Sequence, residues 1–86
     1  MTEIFGQTEY FNGKKGKVMV EHQLWGTQVF RCETVQIIND GKRLGAVING
    51  HDVYVNVDDL LLYKAHKNML VIADKTVQIT VIVNKL

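Results

Sequence analysis

The stretch Gly50-His51-Asp52-Val53-Tyr54-Val55-Asn56-Val57 alternates apolar and polar side chains along the middle of the chain. Successive side chains of a β-strand point to opposite faces, so the valines share one face and Asp52, Tyr54 and Asn56 share the other. The valine face is typical of a protein core. A ring on the other face can stack on a nucleobase, and an amide can hydrogen-bond to its edge. The stretch therefore predicts a strand with one buried face and one face suited to binding.

Short apolar runs separated by turn residues extend this pattern in both directions. They predict six strands, at residues 17–24, 28–39, 43–49, 51–63, 69–73 and 76–83. The turn Asn39-Asp40-Gly41 is a strong hairpin signal because all three residues tolerate positive φ. Runs 28–39 and 51–63 are each too long for one regular strand. In the first, the apolar alternation changes phase between Phe30 and Val35, and in the second, Asp58-Asp59 indicates a kink. Small β-barrels bend their strands at such points, so we predict an all-β barrel or sandwich.

Size, charge and cysteine content limit the possible functions of this 86-residue chain, which we interpret as a single domain. The net charge of +1 is too balanced to predict nucleic-acid binding by itself, so a site of that kind needs a local patch. One cysteine, Cys32, and three histidines provide neither a disulfide nor the usual zinc set, and we interpret Cys32 as a small core residue. We expect no metal and no cofactor.

Neither a membrane segment nor a catalytic motif is predicted. No apolar run approaches the roughly 20 residues that cross a bilayer, and the N-terminus lacks a secretion signal, so we expect a cytoplasmic protein. Glycine-rich phosphate loops and nucleophile elbows are missing. Asp58 and Asp59 are neighbours on a predicted strand and point apart, so they cannot act on one substrate atom. We predict that the protein is not an enzyme.

The last two predicted strands are apolar on both faces, as buried strands are. An exposed edge of this composition would promote aggregation unless another segment covered it. Strand pairing between subunits is the simpler explanation in so small a domain. A monomer whose N-terminal segment covers the edge is the alternative.

Residues 35–56 resemble the first signature of the Sm-like RNA-binding proteins. The matching elements, in order, are Val35-Gln36-Ile37, Asp40-Gly41-Lys42, Ala46, Ile48 and Asp52-Val53-Tyr54-Val55-Asn56. Leu70-Val71-Ile72 and the turn that follows it resemble the second signature in order and spacing. Three departures are Val55 for a methionine, Ala46 for a second glycine, and Ala73-Asp74 for Arg-Gly. Because the family's arginine usually helps to hold base or phosphate, its loss implies weaker or altered RNA binding.

The resemblance implies a strongly bent, five-stranded SH3-like or Sm-like barrel over residues 28–83. Residues 1–27 would be an extension with an additional strand or short helix. It also implies a homo-oligomeric ring in which strand 69–73 of one subunit pairs with strand 76–83 of the next. The implied subunit interface consists of Leu70, Ile72, Val77, Ile79 and Val81.

The implied ligand is single-stranded RNA, U-rich or A-rich, bound in RNA processing or metabolism. Two alternatives remain open. One is an oligomeric barrel that has lost RNA binding and serves assembly or protein interaction. The other is a monomeric SH3-like or PRC-type adaptor.

By the same resemblance, Tyr54 stacks on a base and Asn56 binds the base edge. We expect Asp52 to support its loop by accepting backbone N–H bonds. His51 could contact phosphate or base, but alternation places it on the valine face, where packing is expected. Lys75, beside Asp74 in the turn completing the site, could replace the missing arginine or be a solvated turn residue.

Three basic clusters are predicted to be solvated turns that would form a positive rim if repeated around a ring. They are Lys14-Lys15-Gly16-Lys17, Lys42-Arg43, and Lys64-Ala65-His66-Lys67. Trp25 could stack on a base, but a single tryptophan in a small β domain is more often buried, so we predict a core position.

Overall fold

Residues 8–84 are described by a computed structural model, and within them the fold is all-β, as predicted. The strands are β1 (Gly16–His22), β2 (Gly26–Cys32), β3 (Ile37–Asn39), β4 (Arg43–Ile48), β5 (His51–Asn56), β6 (Leu62–His66), β7 (Met69–Ala73) and β8 (Val77–Val83). Short 3-10 helices occupy residues 8–11 and Val57–Asp59. No helix in this part of the chain has the length and hydrophobicity needed to cross a membrane.

The strands form two antiparallel sheets, in the orders β2-β1-β8-β7-β6 and β3-β4-β5. The chain passes between the sheets twice, after β2 and after β5. Both crossings lie where the sequence predicted a bend. Residues 33–36 separate β2 from β3, where the apolar phase slips, and the 3-10 helix Val57–Asp59 replaces the predicted kink at Asp58-Asp59. The alternation pattern therefore located the two points at which the fold turns.

Strand β1 is a central strand rather than part of an extension. All seven of its residues pair with β2 on one side and with β8 on the other. The preceding 3-10 helix buries Phe11, which is 1% exposed, and the Asn12 side chain accepts a hydrogen bond from the Ile37 N–H at 2.6 Å. The additional strand predicted within residues 1–27 is therefore β1, and it completes the five-stranded sheet. The part of that predicted extension at residues 1–7 lies outside the described residues.

The core lies between the inner faces of the two sheets. Val18, Leu70 and Val81 come from the larger sheet and Leu44 and Val55 from the smaller one, and none is more than 1% exposed. Burying an aliphatic side chain of this size contributes about 1.5–3 kcal/mol. Val55 belongs to the valine face predicted from the sequence, so that assignment is confirmed.

The predicted subunit interface lies inside the chain itself. Strand β8 is paired with β1 and β7, and β7 is paired with β8 and β6, so neither strand has a free edge. Leu70, Ile72, Ile79 and Val81 are fully buried and Val77 is half-buried. A ring built by pairing β7 with a neighbour's β8 would have to break these internal pairs. Both are interior strands of the five-stranded sheet, and one face of each packs in the core.

Candidate binding cleft

A cleft of about 370 Å³ opens between the β1–β2 hairpin and strand β5. Its floor is the inner face of the larger sheet, where Val20 pairs with Gln28, and His22 pairs with Gly26 and Val77. These residues lie at the end of the hairpin, and all five line the cleft. The cleft therefore exposes apolar side chains that would otherwise belong to the core.

Strand β5 forms the opposite wall. Three consecutive residues, Asp52, Val53 and Tyr54, line the cleft. Because successive side chains point to opposite faces, three in a row can reach one space only if the edge of the strand faces it. β5 pairs with β4 alone, and in residues 8–84 no strand pairs with its other edge. The wall is therefore an unpaired strand edge.

Trp25 borders the same cleft and is 79% exposed, so the predicted core position is wrong. It lies in the turn between β1 and β2, where no strand within residues 8–84 covers it. Its ring stacks on the His22 imidazole, with ring centroids 4.2 Å apart and planes 15° from parallel. Leu24, in the same turn, is 78% exposed. The hairpin tip thus presents a large apolar surface at the mouth of the cleft.

Tyr54 lies on the outer face of β5, as predicted, and is 41% exposed. It pairs with Gly45 of β4, and the guanidinium carbon of Arg43 lies 5.0 Å from its ring centroid. Sequence reasoning assigned Arg43 only to a basic rim. The sequence did contain a signal for this contact. A hairpin turn at Asn49-Gly50 sets a register between β4 and β5 in which Arg43 is a diagonal cross-strand neighbour of Tyr54.

Arg43 also links two carboxylates. Its Nε lies 2.9 Å from Asp40 Oδ2 and its Nη1 lies 3.2 Å from Asp52 Oδ2. Asp52 therefore contacts a guanidinium, where a bond from backbone N–H groups was expected. Asp40 accepts the backbone bonds instead, from Lys42 N at 3.0 Å and Arg43 N at 2.8 Å. The charge of Arg43 is therefore balanced locally, and Lys42 is the exposed cation of the Lys42-Arg43 pair.

The Asp40 interactions predict a specific pH dependence. The backbone N–H groups of Arg43 and Lys42, followed by the Arg43 side chain, lower the pKa of Asp40 from 3.8 to about 2. A carboxyl whose pKa is lower in the folded state stabilises the fold above its unfolded value, and the contribution disappears as the pH falls through the folded value. We expect the contribution to be complete above about pH 4 and lost near pH 2. NMR titration of wild type and Arg43→Gln should show the Asp40 pKa rising in the variant; an unchanged value would contradict this arrangement.

Asn56 lies on the same face of β5 as Tyr54 but does not line the cleft. It pairs with Arg43 and lines a separate depression with Lys42, Asp58 and Asp59. The structure therefore divides the predicted base-binding pair. Two carboxylates beside Asn56 make that depression unfavourable for an anionic ligand.

The Asp74-Lys75 turn lies beside the cleft rather than in it. It borders a second depression that shares His22 and Val77 with the cleft, and Lys75 is exposed there. Asp74 Oδ1 accepts hydrogen bonds from Thr76 N at 2.8 Å and Val77 N at 2.9 Å. Burial alone would raise the pKa of Asp74, but these bonds outweigh it and lower the pKa. Asp74 thus stabilises the turn that carries Lys75.

The remaining predicted residues lie apart from the cleft. His51 is exposed, against the expected packing on the valine face, because it is the first residue of β5 after the hairpin turn. Lys64 is exposed on β6, where a turn was predicted, and Lys67 is exposed in the turn that follows. Cys32 packs against the core, and burial raises the pKa of its thiol. Residues 8–84 contain no group of three or more His, Cys, Asp or Glu arranged to hold a metal ion.

Comparison of the chain with protein-family models, with curated proteins and with solved structures gives no match. The resemblance to the Sm-like proteins therefore stands on the sequence signatures alone.

Proposed function

We propose that this chain is a non-enzymatic module that binds single-stranded RNA in the cleft between Trp25 and Tyr54. The observation that carries the proposal is that two exposed aromatic side chains border one largely apolar cleft. Each base stacked on an aromatic ring contributes on the order of 1–3 kcal/mol. Gln28 in the floor and Asp52 in the wall of the cleft offer polar groups for the edges of a base.

The charges around the cleft favour binding through bases more than through phosphates. No lysine or arginine lines the cleft among the described residues; the nearby cations are Arg43, beside Tyr54, and Lys75, in the adjoining depression. Each neutralised phosphate adds about one unit to the slope of log affinity against log salt concentration. Because few cations lie near the cleft, we expect RNA affinity to depend only weakly on salt concentration. The U-rich or A-rich preference that the family resemblance implies is part of this proposal.

The barrel assignment is also a proposal. Two features support an SH3-like or Sm-like barrel: two chain segments bend from one sheet to the other, and the first strand pairs with the last. A single chain carries the whole cleft, so binding in the cleft needs no ring.

A protein-interaction module is the second candidate, and the free edge of β5 favours it. An extended peptide can add to an unpaired strand edge through main-chain hydrogen bonds while its side chains occupy neighbouring pockets. Here the edge at Asp52–Tyr54 faces an apolar floor that contains Val20 and Val77.

Fluorescence anisotropy with labelled RNA of about ten nucleotides tests the proposal. We expect saturable binding of oligo-U or oligo-A at low salt, and much weaker binding of an RNA duplex of the same length, whose bases are already stacked. Equal affinity for duplex and single strand would indicate phosphate contacts only. Binding no stronger than that of a neutral control protein would reject RNA binding and favour the peptide-binding candidate.

A further inference from the structure

The position of Trp25 depends on one side chain, His22. The imidazole stacks on the indole, and its Nδ1 accepts hydrogen bonds from Leu24 N at 3.0 Å and Trp25 N at 3.4 Å. We propose that His22 is a positioning residue that holds Trp25 at the cleft only while its imidazole is neutral. The inference rests on the proposed function, because it concerns the affinity of the same cleft.

The chemistry of the imidazole makes this arrangement sensitive to pH. An Nδ1 that accepts two N–H bonds carries no proton, so the proton of the neutral ring is on Nε2. A second proton, taken from solvent, would convert Nδ1 into a donor that faces two other donors. The ring or the turn must then move, which removes both bonds from the backbone of residues 24 and 25. Histidine is the side chain whose charge ordinarily changes between about pH 5 and 8, so measurements over that range test the arrangement.

Other charged groups lie near His22 without replacing these bonds. Asp52 lines the opposite wall of the cleft, and Glu21, Asp74 and Lys75 surround the adjoining depression. Within residues 8–84 none of them hydrogen-bonds to the imidazole; Glu21 bonds to Gln78 and Asp74 to its own turn.

The β1–β2 pairing closes the hairpin at His22 and Gly26, but among residues 8–84 the Trp25 ring stacks only on His22. Its side chain is 79% exposed, and it lies at a hairpin tip where residues 23–25 form the turn. Side-chain hydrogen bonds to nearby backbone N–H groups stabilise the conformation of such turns. Asparagine and aspartate side chains commonly make bonds of this kind. Loss of the His22 acceptor should therefore release the indole while leaving the sheets folded.

Two variants separate the acceptor from the ring. In His22→Asn the amide Oδ1 can take the place of Nδ1, but it does not become protonated in this pH range. His22→Phe keeps an aromatic ring for stacking and removes the acceptor. Trp25 is the single tryptophan of the chain, so its fluorescence reports this turn alone. We expect its emission in the free protein to change between about pH 8 and 5 in wild type and to be constant in both variants.

Binding of oligo-U and oligo-A gives the functional readout. At about pH 7.5 we expect His22→Phe to bind roughly tenfold more weakly than His22→Asn, because only asparagine keeps an acceptor for the turn. Between about pH 7.5 and 5.5, the RNA affinity of wild type should fall roughly tenfold relative to that of His22→Asn. Circular dichroism at both pH values verifies that each protein is folded.

The outcomes distinguish this inference from the proposed function. An emission change present only in wild type, with no RNA binding at any pH, would support the positioning role and reject RNA binding. RNA binding with the same pH dependence in wild type and His22→Asn would reject the positioning role. An emission change shared by wild type and His22→Asn would reject it as well.

Discussion

Replacing Gly45 with alanine should destabilise the domain by about 3 kcal/mol, at the upper end of the usual cost of overpacking. Gly45 faces Tyr54 across the β4–β5 pair. A Cβ atom at position 45 would overlap the carbonyl oxygen of Val53 and lie 2.5 Å from Tyr54 Cα. Both are backbone atoms, so the clash cannot be relieved by a side-chain rotation. The strands must separate, which also displaces the Tyr54 wall of the cleft.

Urea denaturation of Gly45→Ala measures this effect, and Gly50→Asn is the matched control. Gly50 has φ +81°, a Cβ atom there would meet no atom within 4 Å beyond its chain neighbours, and asparagine tolerates this conformation. We expect the control to cost less than about 1 kcal/mol. If Gly45→Ala unfolds within about 0.5 kcal/mol of wild type, the close approach of β4 and β5 is wrong.

The double substitution Trp25→Ala, Tyr54→Ala should lower RNA affinity roughly hundredfold. Each ring contributes on the order of 1–3 kcal/mol when a base stacks on it, and a tenfold change in affinity corresponds to about 1.4 kcal/mol. Both side chains are substantially exposed, so the free energy of unfolding should change little. Anisotropy with oligo-U and oligo-A measures the loss, and each single variant shows whether the two contributions add.

Two control variants test the location of the site. Leu24→Ala removes an exposed side chain from the same turn as Trp25, outside the cleft lining. Asn56→Ala changes a residue on the same face of β5 as Tyr54 that borders a different depression. We expect both to bind within about twofold of wild type, since neither removes a stacking ring. A loss in Asn56→Ala as large as that in Tyr54→Ala would instead place the ligand along the outer face of β5.

Local pattern predicted the strands and bends of this fold well, because alternation and turn residues act over a few neighbours. The run at residues 69–73 matches β7, and the phase slip before Val35 became the crossing between the sheets. Sequence pattern did not predict strand partners. The pairing of β1 with β8 joins residues about 60 positions apart, and nothing in residues 16–22 specifies that neighbour. For the same reason the sequence did not reveal that β8 lies between β1 and β7.

The candidate site was also predicted only in part, because sequence pattern acts over near neighbours and does not identify distant partners. Alternation placed Tyr54 and Asp52 on one face of a strand, and the hairpin register could have placed Arg43 beside them. Trp25 is 29 positions from Tyr54 in the sequence, and the two residues border one cleft only because the β1–β2 hairpin and the edge of β5 meet at one end of the sheets. In the β4–β5 hairpin, the glycine that the close strand approach requires is also not at the position matched to the family signature. The close approach occurs at Gly45, one residue before Ala46.

Trp25 fluorescence during titration with single-stranded RNA tests the central claim most directly. The chain has one tryptophan, so any change of emission comes from the mouth of the cleft. We predict saturable quenching by oligo-U or oligo-A, with the same midpoint as the anisotropy titration and a weaker midpoint in Tyr54→Ala. RNA that binds by anisotropy without changing Trp25 emission, or no RNA binding at all, would contradict a base-stacking site between these two residues.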